Sequence, residues 1–264
     1  MIDEATLKSW RTLLAEYLGL SFNELSPILH RGIEQFCQRN DLSPSEAWQV
    51  LKMHDIDHPL WQTVRDSMVV SSSRFFRDPD IFTEIETWLE TYERDGPLKI
   101  ISFGAADGRE AYSLGMLLAD AEVPCHIIGI DISPKAIEQA RQAIYFDRDL
   151  EEIPEKYREK YIQSGGESRF TLNAQICSSV DFIEPWQLHH YVPLSADLIC
   201  CQNTLMYLTE EKTKTQLAWF ERHLSPGGLL LLSPTDVPKW SGKHMERLVT
   251  TRVRAFRKHA EVEA

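Results

Sequence analysis

Two glycines and two acids carry the first chemical signal. In KIISFGAADGREAY, residues 99–112, an apolar run of Ile100, Ile101 and Phe103 ends at Gly104, and Gly108 precedes Glu110 and the helical pattern SLGMLLAD. Glycine has no Cβ and tolerates positive φ, so a strand, turn and helix of this composition let a ligand lie against bare backbone. A lone G-x-x-x-G is equally an ordinary strand-to-helix loop. The second signal is CHIIGID, an apolar strand that ends in Asp131, about 20 residues beyond the second glycine. A carboxylate at that point can accept both hydroxyls of a ribose while the glycine turn holds the rest of the ligand. G-x-G-x-x-G is missing, so the pattern fits a nucleoside without a pyrophosphate.

A third stretch, VVSSSRFFRDPDIF, residues 69–82, puts two aromatics between two arginines directly after three turn-prone serines. One reading makes Phe75 and Phe76 plugs of an interface between modules, with Arg74 and Arg77 in water. The other makes an arginine here part of a site.

The elements that must position these residues follow from periodicity. Leu7, Trp10, Leu14 and Tyr17 recur at helical spacing up to Leu18-Gly19-Leu20, and a second helix is expected from about Asn23 to Arg39. Ser43-Pro44-Ser45-Glu46 reads as a capping box opening a third helix, and Asp57 begins a fourth with Trp61, Val64 and Met68 inward. Four helices without strands cannot supply a parallel sheet, so they form a separate module. A helix from about Asp80 to Glu93 precedes the glycine turn, and Ser133-Pro134 caps the helix that follows Asp131. From Phe146 to about Ile183 the strand-helix alternation breaks. A charged helix, a Gly165-Gly166 turn and the alternating RFTLNAQI read as a small antiparallel insertion. VDFI, ADLICC, a doubly buried LLLL after Ser225-Pro226-Gly227-Gly228, and VRAFRK complete the strands.

Composition narrows the function classes. A chain of 264 residues with 43% hydrophobic residues can bury a full core. No apolar run approaches a membrane span, and MIDEATLKSW has neither the basic start nor the apolar core of a signal peptide, so a cytoplasmic protein is expected. Five cysteines without C-x-x-C predict buried reduced thiols, and neither they nor the nine histidines show metal-ligand spacing. A net charge of −12 argues against nucleic acid as a general partner. The basic C-terminal stretch of Lys239, Lys243, Arg247, Arg252, Arg254, Arg257 and Lys258 reads as a solvated face.

Taken together, the motifs resemble those of the CheR-type glutamate methyltransferases of chemotaxis receptors, and the resemblance covers almost the whole chain. SRFFRDPDIF is similar to N-x-T-x-F-F-R-x-x-x-x-F, and FGAADGREAYSLGMLL to G-C-S-T-G-E-E-P-Y-S-x-A-M-L-L. IGIDISPKAIEQARQAIY is similar to D-I-D-x-x-x-L-x-x-A-R-x-G-x-Y, and LICCQNTLMYL to the D-L-I-F-C-R-N-V-x-I-Y-F segment that leads to L-x-P-G-G. The resemblance implies an α/β fold: a class I S-adenosylmethionine-dependent methyltransferase (Rossmann-like) sheet with an all-α N-terminal domain and a small antiparallel β-subdomain. On that basis residues 1–75 are the helical domain with its linker, 76–264 the methyltransferase domain, and 146–180 the subdomain.

The resemblance further implies a protein-glutamate O-methyltransferase that uses S-adenosyl-L-methionine and releases S-adenosyl-L-homocysteine. Gly104, Glu110, Asp131, Ile132, Asn203 and Thr204 would hold the cofactor, with Asp131 on the ribose and Glu110 near the methionine amino group. Ser71 and Ser73 stand where an asparagine and a threonine are expected, and Trp186 and Gln187 where an asparagine and leucine touch the cofactor. Arg77 and Tyr207 would sit beside the transferring methyl. The implied partner is the cytoplasmic helical region of a chemoreceptor, met by a monomer without nucleic acid and without membrane insertion. Ala105-Ala106-Asp107 for C-S-T, Gln202 for the arginine of C-R-N, and Ser233-Pro234-Thr235-Asp236 for G-x-S-E are departures. They keep a second reading open, a cofactor-binding regulatory module with altered or no turnover.

Overall fold

In the computed structural model, described for residues 2–69, 73–93, 95–191, 195–234, 236, 240–249 and 253–259, four helices come first: α1 (Glu4–Leu18), α2 (Pro27–Asn40), α3 (Pro44–Lys52) and α4 (Pro59–Met68). The starts of the last three share one device. Ser26, Ser43 and His58 each accept a backbone N–H of the first turn, and a proline fills the first helical position, where no N–H is needed. That device corrects two expected starts, since α2 opens at Pro27 and not Asn23, and α4 at Pro59 and not Asp57. Gly19 ends α1 in the left-handed conformation, φ +66°. Trp10, Phe36, Trp61, Leu14 and Ile33 form a buried cluster made entirely by this module.

The rest of the chain builds two sheets. In chain order come α5 (Pro79–Leu89), β1 (Leu98–Phe103), α6 (Arg109–Asp120), β2 (Cys125–Ile130), α7 (Pro134–Gln142), β3 (Ile144–Phe146), α8 (Glu155–Tyr161), β4 (Ile162–Gly166), β5 (Arg169–Leu172), α9 (Ala174–Cys177) and β6 (Val180–Ile183). β7 (Ala196–Cys201), α10 (Glu210–His223), β8 (Leu224–Leu232), β9 (Met245–Arg247) and β10 (Arg254–Lys258) complete it. α5 opens on the Asp78-Pro79 cap, one residue before the expected Asp80, and ends at Leu89, short of Glu93.

The large sheet has the order β6-β2-β1-β7-β8-β10-β9. The strands from β6 to β8 run parallel, and β10 is antiparallel to both its neighbours. This is the class I S-adenosylmethionine-dependent methyltransferase sheet. Strand order reverses between β1 and β7, and ligands of open α/β sheets bind at the carboxyl ends of such strands. Gly104 and Asp131 therefore end the two strands that matter, and Gln202 and Asn203 follow β7 at the same edge. Helices cover both faces, so β8 is buried on both and Leu229 to Leu232 are all fully inaccessible.

β3, β5 and β4 form a separate antiparallel sheet. The turn between β4 and β5 is Glu167-Ser168, with Gly165-Gly166 still in the strand, a shift of two residues from expectation. β9 has three residues and no alternation long enough to read from sequence. Lys258 donates to the carbonyl of Leu224 at 2.6 Å and so closes the end of α10, while Lys239 and Arg252 lie outside the described residues. All five cysteines are free; Cys37, Cys200 and Cys201 are buried, and burial pushes their thiols up, leaving them inert.

Candidate active site

One cavity of about 730 Å³ opens at the carboxyl edge of the sheet, roofed by the helical module. Its size suits a nucleoside-sized ligand plus a second group. Arg77, Ser73, Gly104, Glu110, Asp131, Ile132, Trp186, Asn203, Thr204 and Tyr207 all line it. Ser71 lies outside the described residues. Gln187 faces a neighbouring cleft with Arg141 and Asp181, and its side-chain oxygen accepts from the Glu184 N–H at 2.9 Å.

The glycine turn works as its sequence suggests. Gly104 has φ +83°, and a Cβ there would meet the Thr204 hydroxyl at 2.0 Å, so both backbone conformation and space require glycine. Its N–H and that of Ala105 donate to the carbonyl of Ile130, tying the turn to the end of β2. Asp131 accepts from the N–H of Ala106 at 2.9 Å and from that of Ser133 at 2.9 Å. Burial raises its pKa, and these amides oppose the rise. Each carboxylate oxygen keeps acceptor capacity for a hydroxyl.

Glu110 stands in the first turn of α6, and its carboxyl lies deep in the cavity wall. It accepts from the Ser102 hydroxyl at 2.7 Å. Burial lifts its pKa to about 7, partly offset by that hydrogen bond and by the nearby charge of Arg77, while Asp236 adds to the rise. A buried acid whose charge is held back by desolvation is suited to a cationic ligand group, which would restore that charge.

Arg77 reaches the cavity because the two phenylalanines before it are anchored elsewhere. Phe75 is buried edge-on against Tyr145 at 4.8 Å and close to Phe170, and Phe76 stacks on Tyr157 at 4.9 Å. The Phe75 N–H donates to Glu152 and the Phe76 N–H to Ser113. The aromatics thus grip the β-subdomain and α8. This corrects the reading in which they plug the module interface; Arg74 and Arg77 are both exposed, as that reading has them, and they also line the cavity. Phe76 has φ +46°, a left-handed conformation costly for a bulky side chain, of the kind that clusters at functional sites.

Tyr207 is held from the other side. Its carbonyl accepts from the Ser21 N–H at 2.8 Å, Leu20 bridges Leu208, and the Thr209 N–H donates to Gly19. The loop leaving α1 therefore positions the segment that carries the tyrosine. Asn203, at φ +54°, donates to Ser233 at 3.2 Å, in the left-handed region that asparagine tolerates.

Asp107, the charge in the glycine turn that the family pattern does not predict, turns away from the cavity. It pairs with Arg109 at 3.0 Å, and Arg109 also meets Asp149 at 2.9 Å and Glu152 at 3.5 Å. Burial opposes the charge of Arg109, but the three carboxylates outweigh it and raise its pKa. Asp107 and Arg109 are one compensating pair that braces the turn against the subdomain.

Sequence reasoning missed Arg65 and Lys212 as cavity residues. Arg65 had a signal: it follows Trp61 by four positions and precedes Met68 by three, so it lies on the buried stripe of α4. Lys212 had none, since its place depends on how α10 meets Gly19.

Strand order, glycine turn and terminal acids together define a class I S-adenosylmethionine-dependent methyltransferase domain. The CheR methyltransferase, SAM binding domain family model matches residues 71–254, and the chain belongs to that family. S-adenosylmethionine is the cofactor of such a domain, and the residues present fit it. Asp131 retains acceptor capacity, Glu110 offers a counter-charge, and the buried Nε2 of Gln202 and Nε of Arg65 line the cavity without a hydrogen-bond partner. The chain is 27% identical over 202 residues to the chemotaxis protein methyltransferase of Escherichia coli, covering 73% of this chain and 68% of that protein. It is 26% identical over 185 residues, 66% of this chain, to a 104.1 kDa protein of Rhodobacter capsulatus, of which the match spans 19%. An RNA methyltransferase from Salinibacter ruber, solved with S-adenosyl-L-homocysteine, aligns over 68% of this chain and 93% of its own, at 17% identity and a TM-score of 0.38. Among the described residues no helix is long and apolar enough to cross a membrane.

Proposed function

We propose that this protein methylates glutamate side chains on the cytoplasmic helical region of a chemoreceptor or related signalling protein, with Arg77 and Tyr207 as catalytic residues. The observation that carries the reading is the convergence of Arg77, Tyr207, Glu110 and Asp131 on one cavity. Bound S-adenosylmethionine supplies a methyl group on a positively charged sulfur.

A glutamate carboxylate is ionised near pH 7 and needs no general base. It needs alignment and loss of its water shell. Arg77 orients the incoming carboxylate by charge-assisted hydrogen bonds, and the Tyr207 hydroxyl holds it from the opposite side. Phe76, Phe82 and Leu114 in the wall exclude water. Glu110 balances the cofactor's amino group, and Asp131 holds its ribose.

The test is methyl transfer from radiolabelled S-adenosylmethionine to receptor-bearing membranes. A carboxyl methyl ester releases its label as methanol in mild alkali. Alkali-labile label that disappears in Arg77→Ala supports the reading, and alkali-stable label points to another acceptor group.

A further inference from the structure

The helical module does more than roof the cavity. Arg65 is only 3% exposed, yet it lines the cavity, and its Nε has no hydrogen-bond partner. Its Nη1 donates to the Ile56 carbonyl at 3.2 Å, and its guanidinium lies over the Trp186 ring, 4.6 Å from the centroid. A buried donor left without a partner costs about 1–3 kcal/mol, so such a group is either strained or waiting for a ligand. The neighbouring residue fixes where it waits. Asp66 accepts from the Ser133 hydroxyl at 2.6 Å and from the Lys135 N–H, and Ser133 in turn donates to Asp131. Arg65 and Trp186 therefore adjoin the Asp131-Ile132 end of β2, whereas Glu110 is on α6 beyond the glycine turn.

We infer that Arg65, stacked on Trp186, is a cofactor-binding residue that reads the purine ring, so that the cofactor site is completed by the N-terminal helical module. The inference rests on the reading of this cavity as an S-adenosylmethionine site and assigns a specificity-determining pair within it. A planar guanidinium against an indole face offers a flat surface to a flat heterocycle, and the unpartnered Nε–H supplies a donor for a ring-nitrogen acceptor. The amino-acid end carries a carboxylate that an arginine could also hold, but its ammonium belongs with Glu110 beyond the glycine turn, whereas Arg65 and Trp186 stand at the Asp131 end. Trp186 replaces the family's asparagine, and the stack with Arg65 gives that replacement a purpose.

Calorimetry on the full chain with two probes tests this. S-adenosyl-L-homocysteine contains both ends of the cofactor, whereas 5′-methylthioadenosine keeps purine and ribose but lacks the amino acid. Arg65→Ala and Trp186→Ala should each weaken both ligands by a common factor of about tenfold or more, the worth of a hydrogen bond from a charged donor. Glu110→Gln should weaken only the homocysteine ligand. Arg65→Lys, which keeps the charge and loses the planar fork, should fall with Arg65→Ala, and it carries the test if the alanine variant melts early. Unchanged affinity for methylthioadenosine in Arg65→Lys and Trp186→Ala overturns the inference even when the wild type binds both ligands. A wild type that binds neither ligand removes the cofactor-site reading itself.

Discussion

The ionisation of Glu110 makes the sharpest quantitative prediction. Its pKa in the folded protein is about 7, against 4.5 for the ordinary carboxyl. The shift of about 2.5 units corresponds to roughly 3 kcal/mol. Because the folded value is raised, the ligand-free protein holds the proton that the unfolded chain releases. Stability associated with this group is complete below about pH 4.5 and is lost as pH rises toward 7 and above. Glu110→Gln keeps the shape without the charge, so it should equal the wild type near pH 4 and exceed it by up to about 3 kcal/mol near pH 8. At roughly 2–4 °C per kcal/mol for a chain of this size, that is a gain of about 6–12 °C in melting temperature.

The cofactor reverses the sign. An ammonium beside Glu110 favours the carboxylate, so binding should tighten as the acid ionises, by about 30-fold between pH 5.5 and pH 8 for a pKa near 7. Calorimetry with S-adenosyl-L-homocysteine in two buffers of different ionisation enthalpy would also count the proton released near pH 6.5. Wild-type affinity that is flat over this range, or an equally steep profile in Glu110→Gln, would refute the reasoning.

Other perturbations have defined outcomes. Gly104→Ala places a Cβ 2.0 Å from the Thr204 hydroxyl at φ +83°, and should lower thermal stability by about 1–3 kcal/mol and weaken cofactor binding in calorimetry. Arg109→Leu leaves Asp107, Asp149 and Glu152 without their shared cation and should cost about 3–5 kcal/mol in urea unfolding. Tyr207→Phe should retain cofactor affinity and lose about tenfold in turnover with the protein substrate, seen as a fall in kcat with KM for the cofactor unchanged.

Much of this was legible before the fold. The glycine turn and Asp131 announce themselves because strand ends, turns and caps are local events, and the relevant residues are contiguous. The starts of α2, α4 and α5 differ from the sequence expectation by one to four residues because an acid or amide beside each proline competes with it as a helix-start signal. Asp107 was unreadable alone, since its partner Arg109 serves also Asp149 and Glu152, some 40 positions on. The phenylalanines of SRFFR stand out in the sequence, but their anchors, Tyr145 and Tyr157, come from the subdomain and no local pattern links them. Arg65 is the instructive omission. An arginine on the buried face of a helix, between Trp61 and Met68, is a charge that burial must justify, and the justification lies across the cavity at Trp186.

The central claim is that this cavity transfers a methyl group to a glutamate carboxylate. Peptide mapping of a chemoreceptor cytoplasmic domain after incubation with the protein and S-adenosylmethionine tests it most directly. The account predicts a mass increase of one methyl group on glutamate-containing helical peptides, reversed by mild alkali and lost with Arg77→Ala. A methyl group found on lysine, arginine or a small molecule, or one that survives alkali, would contradict it.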